Sequence, residues 1–332
     1  MLERLELSFA CGGMAALAGW LAWRLYSRPH HPKEWEEVGE VSDLTIFPLK
    51  SGRGVSVKQA QATTHGLAHG ELQDRAFMVV TAEEHRFVGG RHTGRLLTVA
   101  LTVKDDVVTL EARAAAQPVQ FNLKHVLENP EIVHARMWGD AVRGVDCGDE
   151  VAEWLTHMLY NGATQVRLLY KGNVMEKRPA MKPRYFEFPK FLKTDRMYYA
   201  DTCAYLVTSQ SSLKDLNSRL EDPVTMANFR ANITVRGAPP FDEDDWTYLK
   251  IGQVVLRKLK PCERCIQTTV DPETGERHPK HEPITTLRSY RMVTEPAKLA
   301  KKWVKSPIFG INMAIDVTGP LKVGDEVLVA RT

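Results

Sequence analysis

Five cysteines in a chain of 332 residues leave one informative spacing, Pro261-Cys262-Glu263-Arg264-Cys265. Cys11 lies in an apolar stretch, while Cys147 and Cys203 are isolated. A C-x-x-C pair can serve three chemistries. A structural zinc site needs four ligands, and no second C-x-x-C or nearby Cys/His pair completes one; His278 and His281 flank Pro279 in what reads as an exposed, charged loop. A dithiol redox motif needs its thiols at a helix N-terminus, where the dipole lowers a thiol pKa, yet Ile266–Val270 reads as a strand. The third chemistry is one thiolate on a soft, redox-active metal, with Arg264 beside it favouring the charged sulfur. Spacing alone does not choose between this and two inert thiols. The sparse, odd cysteine count suits reduced thiols in a cytosol-like compartment better than a disulfide scaffold.

The elements that must position these residues are mostly short strands. Val41–Leu49, Ala76–Thr81, Leu96–Val103, Val107–Glu111 and Val119–Leu123 are rich in β-branched residues or flanked by turn residues, and Lys104-Asp105-Asp106 reads as a hairpin turn. Glu150–Tyr160 is helical, with Val151, Trp154, Leu155, Met158 and Leu159 on one face and Asp149 placed to cap it. Ser211–Leu220 is a second helix. It stands among strands at Tyr205–Thr208, Asn232–Val235, Val254–Leu259, Ile266–Val270, Ala314–Val317 and Glu326–Ala330. Many short strands with few helices give a mainly β, α+β fold built around a barrel rather than a doubly wound sheet. Lys171–Arg196 holds eight Lys/Arg against three Asp/Glu, broken by Pro179, Pro183 and Pro189. It reads as a connector packed by its aromatics, or as a docking surface for an acidic partner or anionic lipid.

A net charge of +3 excludes nothing by itself but gives no support to a nucleic-acid partner. No G-x-G-x-x-G or G-x-x-x-x-G-K-[ST] occurs, so no standard nicotinamide or nucleotide site is expected. Leu7–Trp23 is a run of seventeen uncharged residues, followed by Arg24 and Arg28. As a helix it spans roughly 26 Å, enough for a thin bilayer. Trp20 and Trp23 suit the interface, and the positive charge beyond them places the following domain in the cytosol. A cleaved signal peptide is the rival reading, opposed by acidic Glu3 and Glu6. The expected organisation is a signal-anchor helix at 1–27, a polar linker at 28–40, a β-rich domain at 41–165 and a second domain at 166–332.

The stretch from Cys262-Glu263-Arg264-Cys265 through Asp271-Pro272-Glu273-Thr274-Gly275 resembles the signature of the MOSC family. It is especially similar to the animal mitochondrial amidoxime-reducing components. Further matching motifs follow in order: Pro48-Leu49-Lys50-Ser51, Asp74-Arg75, Tyr199-Ala200-Asp201-Thr202, Asn228-Phe229-Arg230 and Lys322-Val323-Gly324-Asp325. Cys203 and Ala231 depart from the Ser and Pro usual in the family. The resemblance implies a MOSC barrel domain preceded by a smaller β-rich MOSC N-terminal domain, on the cytosolic face of the mitochondrial outer membrane. It implies a molybdenum–molybdopterin cofactor with Cys265, not Cys262, as metal ligand and catalytic residue. Lys50, Ser51, Arg75, Asp201, Thr202, Arg230, Asn232 and Arg264 then match positions that hold the cofactor. The implied activity is reduction of amidoximes, hydroxylamines and N-oxides, with electrons from NADH through cytochrome b5 reductase and cytochrome b5. The alternative is a cofactor carrier or sulfur-transfer module. Sulfurases of the family add a pyridoxal-phosphate desulfurase domain, for which the first 165 residues are too short and too strand-rich.

Overall fold

The computed structural model describes residues 31–331 other than 116, 176–177, 181–189 and 296. The chain divides into a unit of residues 1–34 and a unit of residues 35–332. Only residues 31–34 of the first are described, without helix or strand, and the expected anchor lies outside the described residues. Among the described residues, no helix is long and apolar enough to cross a membrane.

The second unit is mainly β. Its centre is a closed ring of seven strands, which leaves no unpaired sheet edge. Glu36–Ile46 pairs with Ile233–Arg236, which runs parallel to Tyr205–Ser209. The ring continues antiparallel through Ile308–Val317, Val254–Glu263, Tyr248–Ile251 and Glu326–Ala330, then returns to Glu36–Ile46. Alternate residues point inward, as period-two geometry requires. Val327 and Val329 from one strand, and Leu249 and Ile251 from its neighbour, join Trp246, Ile311 and Met313 in a buried core.

Smaller sheets surround the barrel. Ile132–Met137, Asp140–Asp146, Val166–Tyr170 and Phe77–Thr81 form one, and Ala100–Lys104, Val107–Glu111 and Val119–Asn122 another. The helix Asp149–Tyr160 buries Val151, Leu155 and Leu159 in the core they share. The expected hairpin turn is present, with Asp105 and Asp106 both at positive φ as a two-residue turn of this hand demands. Val166–Tyr170 lies just beyond the expected boundary at 165, yet pairs with strands before it. Glu36–Ile46 in turn completes the barrel of the later half.

Several expectations are corrected. Ile266–Val270 is not a strand but a 3-10 turn, Ile266–Thr269. Its cause is local: the Thr268 and Thr269 hydroxyls donate to the carbonyls of Cys265 and Ile266 at 2.9 and 2.7 Å. The strand argument against a dithiol therefore lapses. Leu96–Val103 likewise opens as a 3-10 turn, Gly94–Thr98, before the strand Ala100–Lys104. Leu96 and Leu97 are both buried, which consecutive strand residues on a one-sided sheet are not. The strand expected at Val254–Leu259 runs on to Glu263, so Cys262 is a strand residue. Residues 36–40, read as linker, pair with Glu326–Val329. Gly148, not Asp149, caps the long helix; Asp149 sits in its first turn and pairs with Arg167 at 2.6 Å. The second helix is Gln210–Asn217, capped by the Ser209 hydroxyl, which accepts from the Ser211 N–H.

Candidate functional site

A cavity of about 320 Å³ opens at one side of the barrel, and all nine residues expected to form a site line it: Lys50, Ser51, Arg75, Asp201, Thr202, Arg230, Asn232, Arg264 and Cys265. They come from widely separated segments. Lys50 and Ser51 follow the first barrel strand, Arg75 precedes Phe77–Thr81, and Asp201 and Thr202 precede Tyr205–Ser209. Arg230 ends the single-turn helix Met226–Phe229, and Cys265 begins the 3-10 turn after the long strand. Three of the nine hold left-handed backbone conformations: Ser51 at φ 63°, Arg75 at 50° and Arg230 at 59°. Each such non-glycine residue costs on the order of 1 kcal/mol and persists only where its surroundings over-determine it. Arg230 occupies the helix-ending position that glycine fills most easily.

The charged groups form a directed network. Lys50, 4% exposed, donates to Asp201 Oδ1 at 2.5 Å, and the Trp138 indole N–H donates to the same oxygen at 2.6 Å. Burial brings the Lys50 ammonium down to about 8, with Asp201 opposing the shift. Burial alone would raise the Asp201 carboxyl, but Lys50, Trp138 and Arg91 hold it well below the usual range. Asp74 is buried, accepts from Arg75 at 2.5 Å, and has its carboxyl raised by that burial despite the guanidinium. Asn232 uses all four hydrogen-bonding positions of its amide. It donates to Asp74 and to the Thr45 carbonyl, and accepts from the Leu206 N–H and Arg75 Nη1. Its side chain thus positions Arg75.

Arg230 and Arg264 have no carboxylate partner among the hydrogen bonds they make. Arg230 donates to the Gly52 carbonyl and lies 4.3 Å over the Phe47 ring, while its Nη2 is buried without an acceptor. Burial, then the nearby Arg75, lowers its guanidinium to about 9. Arg264 donates to Cys262 Sγ at 2.9 Å and to the Phe229 carbonyl at 2.6 Å, leaving its buried Nε without a partner. A buried cation with an unused donor is costly unless an anion joins it. Five basic residues, Lys50, Arg75, Arg91, Arg230 and Arg264, line the cavity against two acidic ones, Asp201 and Glu263, so its charge favours an anionic group beside the half-buried Cys265.

Cys203 also lines the cavity but differs in kind. Its thiol donates to the Tyr205 carbonyl at 3.1 Å, and burial pushes it up to about 12, so it stays protonated. Among the described residues, no group of three or more His, Cys, Asp and Glu could hold a metal by itself. Two contributors escaped the sequence reading. Arg91 lines the cavity, and Trp138 stands beside it at a hairpin turn. The one signal for either was an adjacent glycine, in Gly89-Gly90-Arg91 and Trp138-Gly139. In the basic segment Lys171–Arg196, Phe191 is buried and Asp195 takes Arg257 at 2.9 Å, while Leu192, Lys193 and Thr194 are exposed. Residues 176–177 and 181–189 lie outside the described residues.

Comparison with known proteins agrees with this layout. Residues 194–328 match the MOSC domain and residues 38–162 the MOSC N-terminal beta barrel domain. The chain is 38% identical over 324 residues to mitochondrial amidoxime-reducing component 1 of Mus musculus, covering 97% of this chain and 91% of that protein. It is 40% identical to component 2 of Bos taurus, with 92% and 87% covered. It is 38% identical to component 1 of Homo sapiens, with 97% and 92% covered. With both halves matched and relatives aligned over nearly their whole length, the chain belongs to the mitochondrial amidoxime-reducing component family of MOSC proteins.

Proposed function

We propose that the cavity holds a molybdenum–molybdopterin cofactor and that the protein reduces N-hydroxylated compounds. The observation that carries this reading is the pair Arg230 and Arg264, a half-buried and a buried guanidinium without a hydrogen-bonded carboxylate, lining a cavity that a half-buried thiol also lines. A phosphate-bearing, sulfur-rich group fits that donor set. When bound, the cofactor supplies two dithiolene sulfurs and a metal able to carry the two-electron step. Cys265 Sγ provides the single protein thiolate. The Arg230 and Arg264 guanidiniums supply positive charge for the anionic end, with Lys50, Ser51, Arg75 and Thr202 along the wall. Asn232 holds Arg75, and Asp201 holds Lys50 in its charged form.

For an amidoxime, two electrons and two protons break the N–O bond; the amidine forms and the oxygen leaves as water. The names of the relatives support this substrate class and a mitochondrial location; hydroxylamines and N-oxides extend it by chemical analogy. In the same reading, NADH supplies the electrons through cytochrome b5 reductase and cytochrome b5. Residues 7–23 anchor the protein in the outer membrane with its catalytic body in the cytosol. A tether of this kind raises the local concentration of similarly anchored partners. A cofactor carrier or sulfur-transfer module is the competing function.

Metal analysis of purified protein, coupled to NADH-driven reduction of an amidoxime with cytochrome b5 and its reductase, tests the proposal. Stoichiometric molybdenum with steady amidine formation is expected. Molybdenum without turnover points to the carrier, and protein that takes up no molybdenum overturns both.

A further inference from the structure

Trp138 is 37% exposed, unusual for the largest side chain. It sits in the turn between Ile132–Met137 and Asp140–Asp146 with φ 53°, followed by Gly139 at φ 87°. Such turns favour Asn, Asp or Gly, and a bulky residue there is an outlier. The indole is nevertheless fixed in place. Its N–H is bonded to Asp201 at the cavity wall, Phe87 meets it edge-on at 5.3 Å, and His92 lies at 6.4 Å with its ring inclined by 26°. Over the ring, 4.3 Å from its centroid, lies the guanidinium of Arg91, itself a cavity residue. Guanidinium is a planar, conjugated N–C–N group, the same shape as an amidine. Cavities of about 300 Å³ and upward hold one drug-sized ligand. The 320 Å³ here therefore suits the cofactor, and a reacting compound must approach at the rim.

We propose that Trp138 is a substrate-positioning residue: its indole, walled by Phe87 and His92 and occupied at rest by Arg91, is a platform for the planar, conjugated part of an N-hydroxylated substrate. Resting on the reductase reading above, this names the preferred substrates as aryl amidoximes over saturated alkyl hydroxylamines. The incoming amidoxime, uncharged at neutral pH, replaces Arg91 on the indole, exchanging one planar N–C–N group for another, so stacking is kept while the N–O group faces the metal site.

The test compares Trp138→Phe and Trp138→Leu with the unaltered protein, after checking that molybdenum content is equal. KM and kcat are measured for benzamidoxime and for N-methylhydroxylamine. Binding of benzamidine and acetamidine is measured by equilibrium dialysis. Trp138→Phe, which keeps the π face but loses the N–H, is expected to retain the preference for the aryl compounds. Relative to Trp138→Phe, which loses the same bond to Asp201, Trp138→Leu is expected to raise the benzamidoxime KM roughly tenfold with little change in kcat, and to alter N-methylhydroxylamine reduction no further than Trp138→Phe does. It should also bring benzamidine binding down to that of acetamidine. If Leu and Phe behave alike, or if Leu shifts both substrates equally, the platform is wrong while the reductase reading stands. Failure of the unaltered protein to reduce either compound overturns the reductase reading instead, and the dialysis then decides the platform alone.

Discussion

At the scale of single residues, the cavity separates groups that resemble one another in sequence. Cys262 and Cys265 look equivalent as a C-x-x-C, but Cys262 is a strand residue whose sulfur accepts from Arg264, while Cys265 starts the following turn. Cys265→Ala is expected to abolish N-reduction while leaving some molybdopterin bound through the arginines. Cys262→Ser, whose hydroxyl can still accept from Arg264, should lose less than about threefold, since a retained hydrogen bond leaves little free energy to lose. Equal loss of activity and molybdenum in the two variants would return the paired-thiol reading. Arg230 gives a second contrast. Arg230→Gly relieves a left-handed non-glycine residue and removes a half-buried cation. The cofactor-free protein should therefore melt no lower than the parent, while its molybdopterin content falls; unchanged content would show that Arg230 holds no anion. The types of these residues and their motif order were legible in the sequence. The unused donors and the conformational strain were not, because both depend on what Phe47, Gly52 and Phe229 do at long range.

At the scale of elements, strands with clear alternation were legible almost to the residue: Val107–Glu111 and Glu326–Ala330 fall where their patterns place them. Ile266–Thr269 is rich in β-branched residues and Leu96–Thr98 leads into a β-branched run, but both are wound by local or tertiary contacts. A methyl group on Gly94 would come within 2.0 Å of the Gly275 carbonyl, an approach no propensity reveals. The acidic turn Asp242–Asp245 hides another such contact. Glu243 is fully buried with its carboxylate accepting from the Ser212 hydroxyl at 2.8 Å, and burial raises it to about 7 despite that bond. Asp244 adds to the shift and Arg291 opposes it. The folded protein thus binds this proton more tightly than the unfolded chain. Its contribution is fully present below the unfolded pKa of about 4.5 and is lost as pH rises to about 7. Glu243→Gln should shrink the fall in Tm between about pH 5 and pH 8; a fall as steep as the parent's would assign that dependence to other groups.

At the scale of the whole molecule, the order of motifs along the chain predicted two successive domains, whereas the strands are shared between its halves. Sequence patterns report local periodicity, and nothing in Glu36–Ile46 says that its partners lie near residues 233 and 326. Residues 35–332 form one unit. Deleting residues 1–34 should therefore leave a folded protein that binds molybdenum and reduces substrate, and an aggregated, metal-free product would show that the body depends on them.

That pairing also has a consequence in time. The strand at 36–46 emerges from the ribosome early, yet one of its neighbours is not made until residue 330 has been added. At about 5–20 residues per second, the interval is tens of seconds or less. Throughout it, an extended segment with β-branched residues stands open to any passing strand. Its sequence, EEVGEVSDLTI, carries Glu36, Glu37, Glu40 and Asp43. In the finished barrel two of these have obvious work: Glu36 takes Arg331, and Glu40 takes Arg236. Glu37 and Asp43 remain largely at the surface, and like charges repel a second copy laid alongside. The acidic spacing that decorates the barrel's seam is of the kind that opposes self-pairing while a strand lacks its partners.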